Sequence, residues 1–407
     1  MSAHFFENLP PEVLFGISDY LEPDDRKNLS LANSGLRTAM APCLFKVLRV
    51  NCPLVEDHIL PTIVDKYGVN ILELRLDVTF YPEESTETAD EEEEEEDEDM
   101  SENEEGNDGE ESGPEPETPD ESGKDDYPDR WWYWSNPPAS VWARKDADTS
   151  IIQDLIRFKG LPRCKALTIH TNGEQDFELD ADWDNNDIGK NYIYFCCEPE
   201  SWEDVERKEG RYSWRAALRD MYHDIATLSP VDEFTILNFV PRKTSFWQEK
   251  EWSEFLGRLK KLTLNAYGGD NGAGWQANTL PGFHAFFNKL PTNVLAHANA
   301  LEYFKLKTHD DGFLGGEGSL YIPPGCMPSL RSLHVDGIAV TSVLTDYLKA
   351  TNGTLSRLCI TECVAFSSDP NGDAAPRWAD LFKAARQALR APAEVMCADQ
   401  GTSYYGR

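Results

Sequence analysis

A chain of 407 residues with 40% hydrophobic residues and a net charge of −35 has room for one large domain and a small companion, or for a repeat array. The charge is concentrated: Glu83 to Asp126 holds 25 acidic residues and one lysine, a net of −24, leaving −11 for the rest. That remainder has no clustered Lys/Arg face, no basic leader and no apolar run of about eighteen residues, so nucleic-acid binding, export and membrane spanning are not expected. A chain in the cytoplasm or nucleus is expected. The nine cysteines lack a Cys-x-x-Cys pair and are expected as reduced, mostly buried thiols, with no metal and no cofactor.

In chain order, the first elements are short amphipathic helices. Asn8 can cap the first and Pro10 or Pro11 can occupy its first turn, while Val13, Leu14, Ile17 and Leu21 fall on one side of a 3.6-residue period. Asp24 or Asp25 can cap a second helix carrying Leu29 and Leu31. A third, around Leu36 and Met40, is expected to stop near Pro42. A unit of about forty residues is too small for a self-sufficient core, so its apolar surface must be shared with a partner or with the next domain.

The run Leu9, Pro10, Glu12, Val13, Leu14, Ile17, Tyr20, Leu21, Pro23, Asp25, Leu29, Leu31, Leu36, Arg37, Pro42, Leu44 and Phe45 resembles the F-box, the module that docks substrate receptors on the Skp-type adaptor of cullin-based ubiquitin ligases. The resemblance implies adaptor contacts through Leu9, Pro10, Glu12, Val13, Leu14, Ile17, Leu21 and Leu29. Arg26 departs from the family pattern, which places an apolar residue there. The alternative is an ordinary helical hairpin packed on the next domain.

Ile71 to Leu76 alternates like a strand. The acidic stretch then interrupts; with no core-forming residues and strong self-repulsion, residues 82–126 are expected to be a disordered insertion, either a solvating loop or a regulatory segment. Thr88, Ser101, Ser112, Thr118 and Ser122 each have Glu or Asp three residues on, the pattern acid-directed kinases favour. The aromatic cluster Tyr127 to Trp134, with Trp142 beyond, is expected in the core rather than as an exposed ligand-binding wall.

Beyond it, apolar-x-x-apolar-x-apolar recurs at Ile71/Leu74/Leu76, Cys164/Leu167/Ile169, Val231/Phe234/Ile236, Leu259/Leu262/Leu264, Leu301/Phe304/Leu306, Leu330/Leu333/Val335 and Leu355/Leu358/Ile360. Three spacings between central residues, 28, 29 and 25, approach the roughly 20 to 29 residues of a leucine-rich repeat. Helical patterns separate the strands at Ile151–Phe158, Trp214–Leu228, Trp247–Leu256, Phe283–Leu290, Val343–Leu348 and Trp378–Leu389; Tyr192–Cys197 reads as an extra strand within an irregular stretch from Asn172 to Arg211. The fold class expected is α/β: helical module over 1–50, linker and first strand over 51–81, insertion over 82–126, a curved solenoid of parallel strands and helices over 127–397, and a flexible tail over 398–407. The repeats resemble the irregular leucine-rich arrays of many F-box receptors; a buried α/β domain is the alternative.

Strand alternation would send Thr168, His170, Thr235, Thr263, Asn265, Lys305, Lys307 and His334 to an open face that recognises a protein target. Lys305, Lys307 and His334 form a candidate basic patch for an acidic or phosphorylated segment, or for the chain's own acidic stretch. No His-Glu-x-x-His, Gly-x-Ser-x-Gly or phosphate-loop pattern is present, so no catalytic residue is expected. The reading is a non-enzymatic substrate receptor of a Skp-cullin-F-box ligase, its partners the adaptor, through it a cullin, and an unknown protein substrate. The competing reading is an acidic scaffold or histone-binding protein whose acidic stretch holds a basic partner.

Overall fold

The computed structural model describes residues 9–55, 58–80, 140–143, 147–171, 193–194, 196–268, 277–308, 322–323, 325–340, 342–351, 353–365 and 378–398. The acidic insertion, the aromatic run Tyr127–Trp134 and residues 399–407 lie outside them.

Three helices open the fold: α1 (Pro11–Asp19), α2 (Pro23–Leu31) and α3 (Ser34–Leu44). Proline sets the first turn of α1 and α2, with Pro10 and Glu22 at the N-cap positions in place of a side-chain cap. Asp24 and Asp25 sit inside the first turn of α2, where they complement the helix dipole. Asn33 caps α3 by accepting from the Leu36 amide at 2.8 Å, and α3 runs through Pro42 to Leu44 instead of stopping there. Leu14, Leu36 and Met40 are the buried apolar side chains of this unit. Arg26 is half-buried, and its Nε donates to the Leu21 carbonyl at 2.8 Å, tying α2 to the end of α1.

Nine parallel strands follow in one sheet, in the order β1 (Val47–Cys52), β2 (Glu73–Val78), β3 (Ala166–Thr171), β4 (Glu233–Phe239), β5 (Lys261–Ala266), β6 (Tyr303–Lys307), β7 (Ser332–Asp336), β9 (Leu355–Thr361) and β11 (Leu389–Ala398). A two-residue pair, β8 (Ala339–Val340) with β10 (Val364–Ala365), lies outside it. Helices α4 (Leu60–Tyr67), α5 (Thr149–Ile156), α6 (Trp202–Arg211), α7 (Ser213–Leu228), α8 (Lys250–Arg258), α9 (Pro281–Asn293), α10 (Ser342–Ala350) and α11 (Trp378–Ala388) stand between them. Strands stacked in chain order with helices as crossovers make an α/β architecture consistent with a solenoid.

The motif fixes the register. Leu74, Leu167, Phe234, Leu262, Phe304, Leu333 and Leu358 are consecutive cross-strand partners, and every apolar position of all seven copies is buried. A one-residue slip would turn each strand's apolar set outward, so burial on one side specifies the stacking. The backbone ladder extends one step upstream of the strands: the amides of Leu72, Glu302, Arg331 and Ser356 donate to the carbonyls of Lys46, Lys260, Glu302 and Arg331 at 2.7–2.9 Å.

Sequence patterning missed an eighth copy. Leu48 and Val50 stand in register with Leu74 and Leu76 of β2, and Phe45 stacks on Tyr67 at 3.8 Å; the strand series therefore starts inside the expected helical module, and the strand expected within 51–81 is β2. Within the expected strand Tyr192–Cys197, Ile193 and Tyr194 lie in a turn and Cys196 and Cys197 belong to no strand, while Tyr192 and Phe195 lie outside the described residues. Part of the irregular stretch is α6, held by a Ser201–Asp204 capping box. Eight of the nine cysteines have described side chains; these form no disulfide, and five of them are buried.

Gly282 shows how tightly α9 is seated. Its amide and that of Phe283 donate to the carbonyls of Cys197 and Cys196 at 3.1 and 3.0 Å, and a Cβ at 282 would overlap the carbonyl oxygens of Cys196 and Glu198. Gly282→Ala is expected to lower stability by about 1–3 kcal/mol, read as a drop in the urea midpoint at unchanged slope.

Candidate functional site

Two surfaces stand out. On the N-terminal helices, Tyr20 is 93% exposed, Leu31 55% and Val13 45%, and Leu9, Phe15, Ile17, Leu21 and Leu29 are half-exposed. Of the eight residues that the F-box resemblance assigns to an adaptor, Pro10, Glu12 and Val13 are exposed, Leu9, Ile17, Leu21 and Leu29 are half-exposed, and Leu14 is 2% exposed. Leu14 therefore belongs to the interior of the unit and cannot be a surface contact in this conformation.

The second surface is the sheet face opposite the apolar motif. Register builds it in three rows. Glu73, Ala166, Glu233, Lys261, Tyr303, Ser332 and Arg357 form the first, and Arg75, Thr168, Thr235, Thr263, Lys305, His334 and Cys359 the second. In the third, Asp77 faces His170 and Leu237 follows, and Asn265, Lys307, Asp336 and Thr361 continue the series. All eight residues expected on the open face lie in the second and third rows. The first row was missed, although period-two alternation sends the residue before each central apolar position to the same face as the one after it.

A shallow depression of about 300 Å³ spans β2 to β6 there, lined by Glu73, Arg75, Ala166, Thr168, Glu233, Thr235, Leu237, Lys261, Thr263 and Tyr303. Its floor is made of small residues. Thr168 Oγ1 donates to Glu73 Oε1 at 2.7 Å, and Lys261 Nζ reaches Glu233 Oε1 at 2.8 Å.

Beside the depression lies a polar network around Asp77, whose side chain is 4% exposed. Arg49 pairs with it, Arg75 Nε donates to its Oδ1 at 3.2 Å, and His170 Nδ1 lies 2.8 Å from the same oxygen. Asn238 Nδ2 sits 3.2 Å from His170 Nε2, and Arg75 Nη2 lies 3.1 Å from His170 Nδ1. Burial pushes the Asp77 carboxyl up, but the hydrogen bonds from Arg49 and His170 and the charge of Arg75 outweigh it and hold Asp77 below its ordinary value of 3.8. A depressed folded pKa contributes stability that is complete above 3.8 and lost as pH falls through the folded value. Asp77→Asn should therefore flatten the decline in thermal midpoint between neutral pH and acid below 3.8; an unchanged slope would count against this role.

The basic patch is weaker than its lysines suggest. Lys305 Nζ lies 3.9 Å from Asp336 Oδ2. Burial, then the Lys305 charge, hold His334 below the ordinary imidazole value, so it stands neutral at pH 7 and contacts the Thr361 hydroxyl at 3.2 Å. The buried ionic knot is elsewhere: Glu200 meets Lys208 at 2.9 Å, Arg215 at 3.2 Å and Arg242 at 3.5 Å, and none of the four lines the depression. Among the described residues there is no group of His, Cys, Asp or Glu fit to hold a metal, and no helix is long and apolar enough to cross a membrane.

No protein-family model matches the chain, and no curated protein matches it.

Proposed function

We propose that this chain is a non-catalytic substrate receptor of a Skp-cullin-F-box ubiquitin ligase, with α1 to α3 as the F-box and the sheet as an irregular leucine-rich-repeat array. The observation that carries the reading is the exposure of the motif's apolar positions. Val13, Tyr20 and Leu31 face solvent, and Leu9, Ile17, Leu21 and Leu29 are half-open, on a unit whose interior is already filled by Leu14, Leu36 and Met40. Large apolar side chains left exposed on a small helical unit fit a protein-binding face. The array's role is rigidity: a single sheet of parallel strands holds a bound target at fixed geometry to the adaptor, and catalysis then comes from proximity to a ubiquitin-charged enzyme supplied by the ligase. Arg26, the departure from the family pattern, bonds to Leu21 within the module and so replaces an apolar contact with an internal clamp.

Partner capture from cells tests the reading, with the wild-type chain and a Leu9→Ala/Ile17→Ala variant run in parallel. Adaptor and cullin should appear with the first and vanish with the second. Their absence from both, or their persistence in the variant, would sink it.

A further inference from the structure

We infer that the open face recognises its target through a lysine or arginine side chain seated over Ala166 between Glu73 and Glu233, so that the receptor selects a basic segment rather than an acidic or phosphorylated one. The inference rests on the reading of this face as the substrate surface. In the first row Glu73, Ala166 and Glu233 are neighbours on β2, β3 and β4. Ala166 leaves a gap between two carboxylates whose backbones stand roughly 9–10 Å apart, twice the strand spacing. That width admits one long aliphatic stem with a cationic head.

The cations lining the depression are already engaged. Arg75 is turned toward Asp77 and His170, and Lys261 is held by one oxygen of Glu233. Glu73 makes no ion pair among the described residues; one of its oxygens accepts from Thr168, and the residue lines the depression. The opposite assignment, an anion at Lys305, Lys307 and His334, meets Asp336 beside Lys305 and a neutral imidazole. Charge points the same way: Glu83–Asp126, which lies outside the described residues, holds 25 acidic residues. Such a charge raises the encounter rate of basic partners and repels acidic ones.

The test uses the full chain on an array of random short peptides, with Glu73→Gln and Glu233→Gln beside the wild type. Glu73→Gln keeps the oxygen that accepts from Thr168, so it removes charge without removing that bond, and circular dichroism checks that the fold is kept. The wild type should select peptides sharing Lys or Arg at one position, and Glu73→Gln should weaken the best binder about tenfold, the worth of one charge-assisted hydrogen bond. Selection of acidic or phosphorylated peptides overturns the inference and leaves the receptor reading standing. A basic preference indifferent to both substitutions also overturns it, because the acidic stretch alone would then account for it. If no peptide is selected while the adaptor still binds, the open face is not the substrate surface, whereas failure of adaptor binding removes the receptor reading itself.

Discussion

Trp142→Ala should cost about 3–5 kcal/mol, a large share of the roughly 5–15 kcal/mol that holds a domain together. Trp142 is 1% exposed and sits in residues 140–143, where the described chain resumes beyond the acidic insertion. Its indole Nε1 donates to Asp224 Oδ2 at 2.7 Å on α7, and its carbonyl accepts from the Leu54 amide at 2.6 Å just past β1. This one residue thus ties the return of the chain to the first repeat through its backbone and to the helical layer through its side chain. Truncation leaves a cavity and a half-buried carboxylate short of a donor, though Gln153 Nε2 still reaches it at 3.2 Å. Trp142→Phe keeps most of the ring and loses the N–H, and should cost only about 1–2 kcal/mol. Urea denaturation of the three proteins checks the order; equal midpoints for wild type and Trp142→Ala would mean that the return segment is not part of the cooperative fold.

The second large effect separates surface from interior on the N-terminal helices. Leu9→Ala with Ile17→Ala removes two half-exposed side chains and should weaken adaptor binding more than about a hundredfold, as loss of two anchor residues does. Stability should change little. Leu14→Ala is the converse, removing a buried side chain at a cost of about 2–5 kcal/mol and weakening binding only by loosening α1 to α3. If Leu9→Ala/Ile17→Ala lowered the melting temperature as far as Leu14→Ala does, these residues would be packing groups and the face would not be a docking surface.

The strand order was legible because burial on one side of a parallel sheet forces the same apolar triplet into every repeat, as Leu74, Leu262 and Leu333 show. Phe45, Leu48 and Val50 obey the same rule but adjoin α3, so they read as a cap on the strand at Leu74 rather than as a strand beside it. Strand β11 escaped notice because its register with β9 shifts between Leu389 and Glu394, which breaks the spacing that a repeat search uses. The open face was half-visible. Alternation placed Thr168, Thr235 and Lys305 on it, yet the carboxylates that shape its depression, Glu73 and Glu233, came from a row left uncounted. Nor does sequence show that Asp336 stands beside Lys305 or that burial keeps His334 uncharged; both depend on which strands become neighbours.

The most direct measurement is a calorimetric titration of a purified Skp-type adaptor into the full chain. Saturable one-to-one binding with a Kd below about 1 μM, abolished by Leu9→Ala with Ile17→Ala, is the result expected of an F-box receptor. No binding by the wild type, or undiminished binding by the variant, would contradict it.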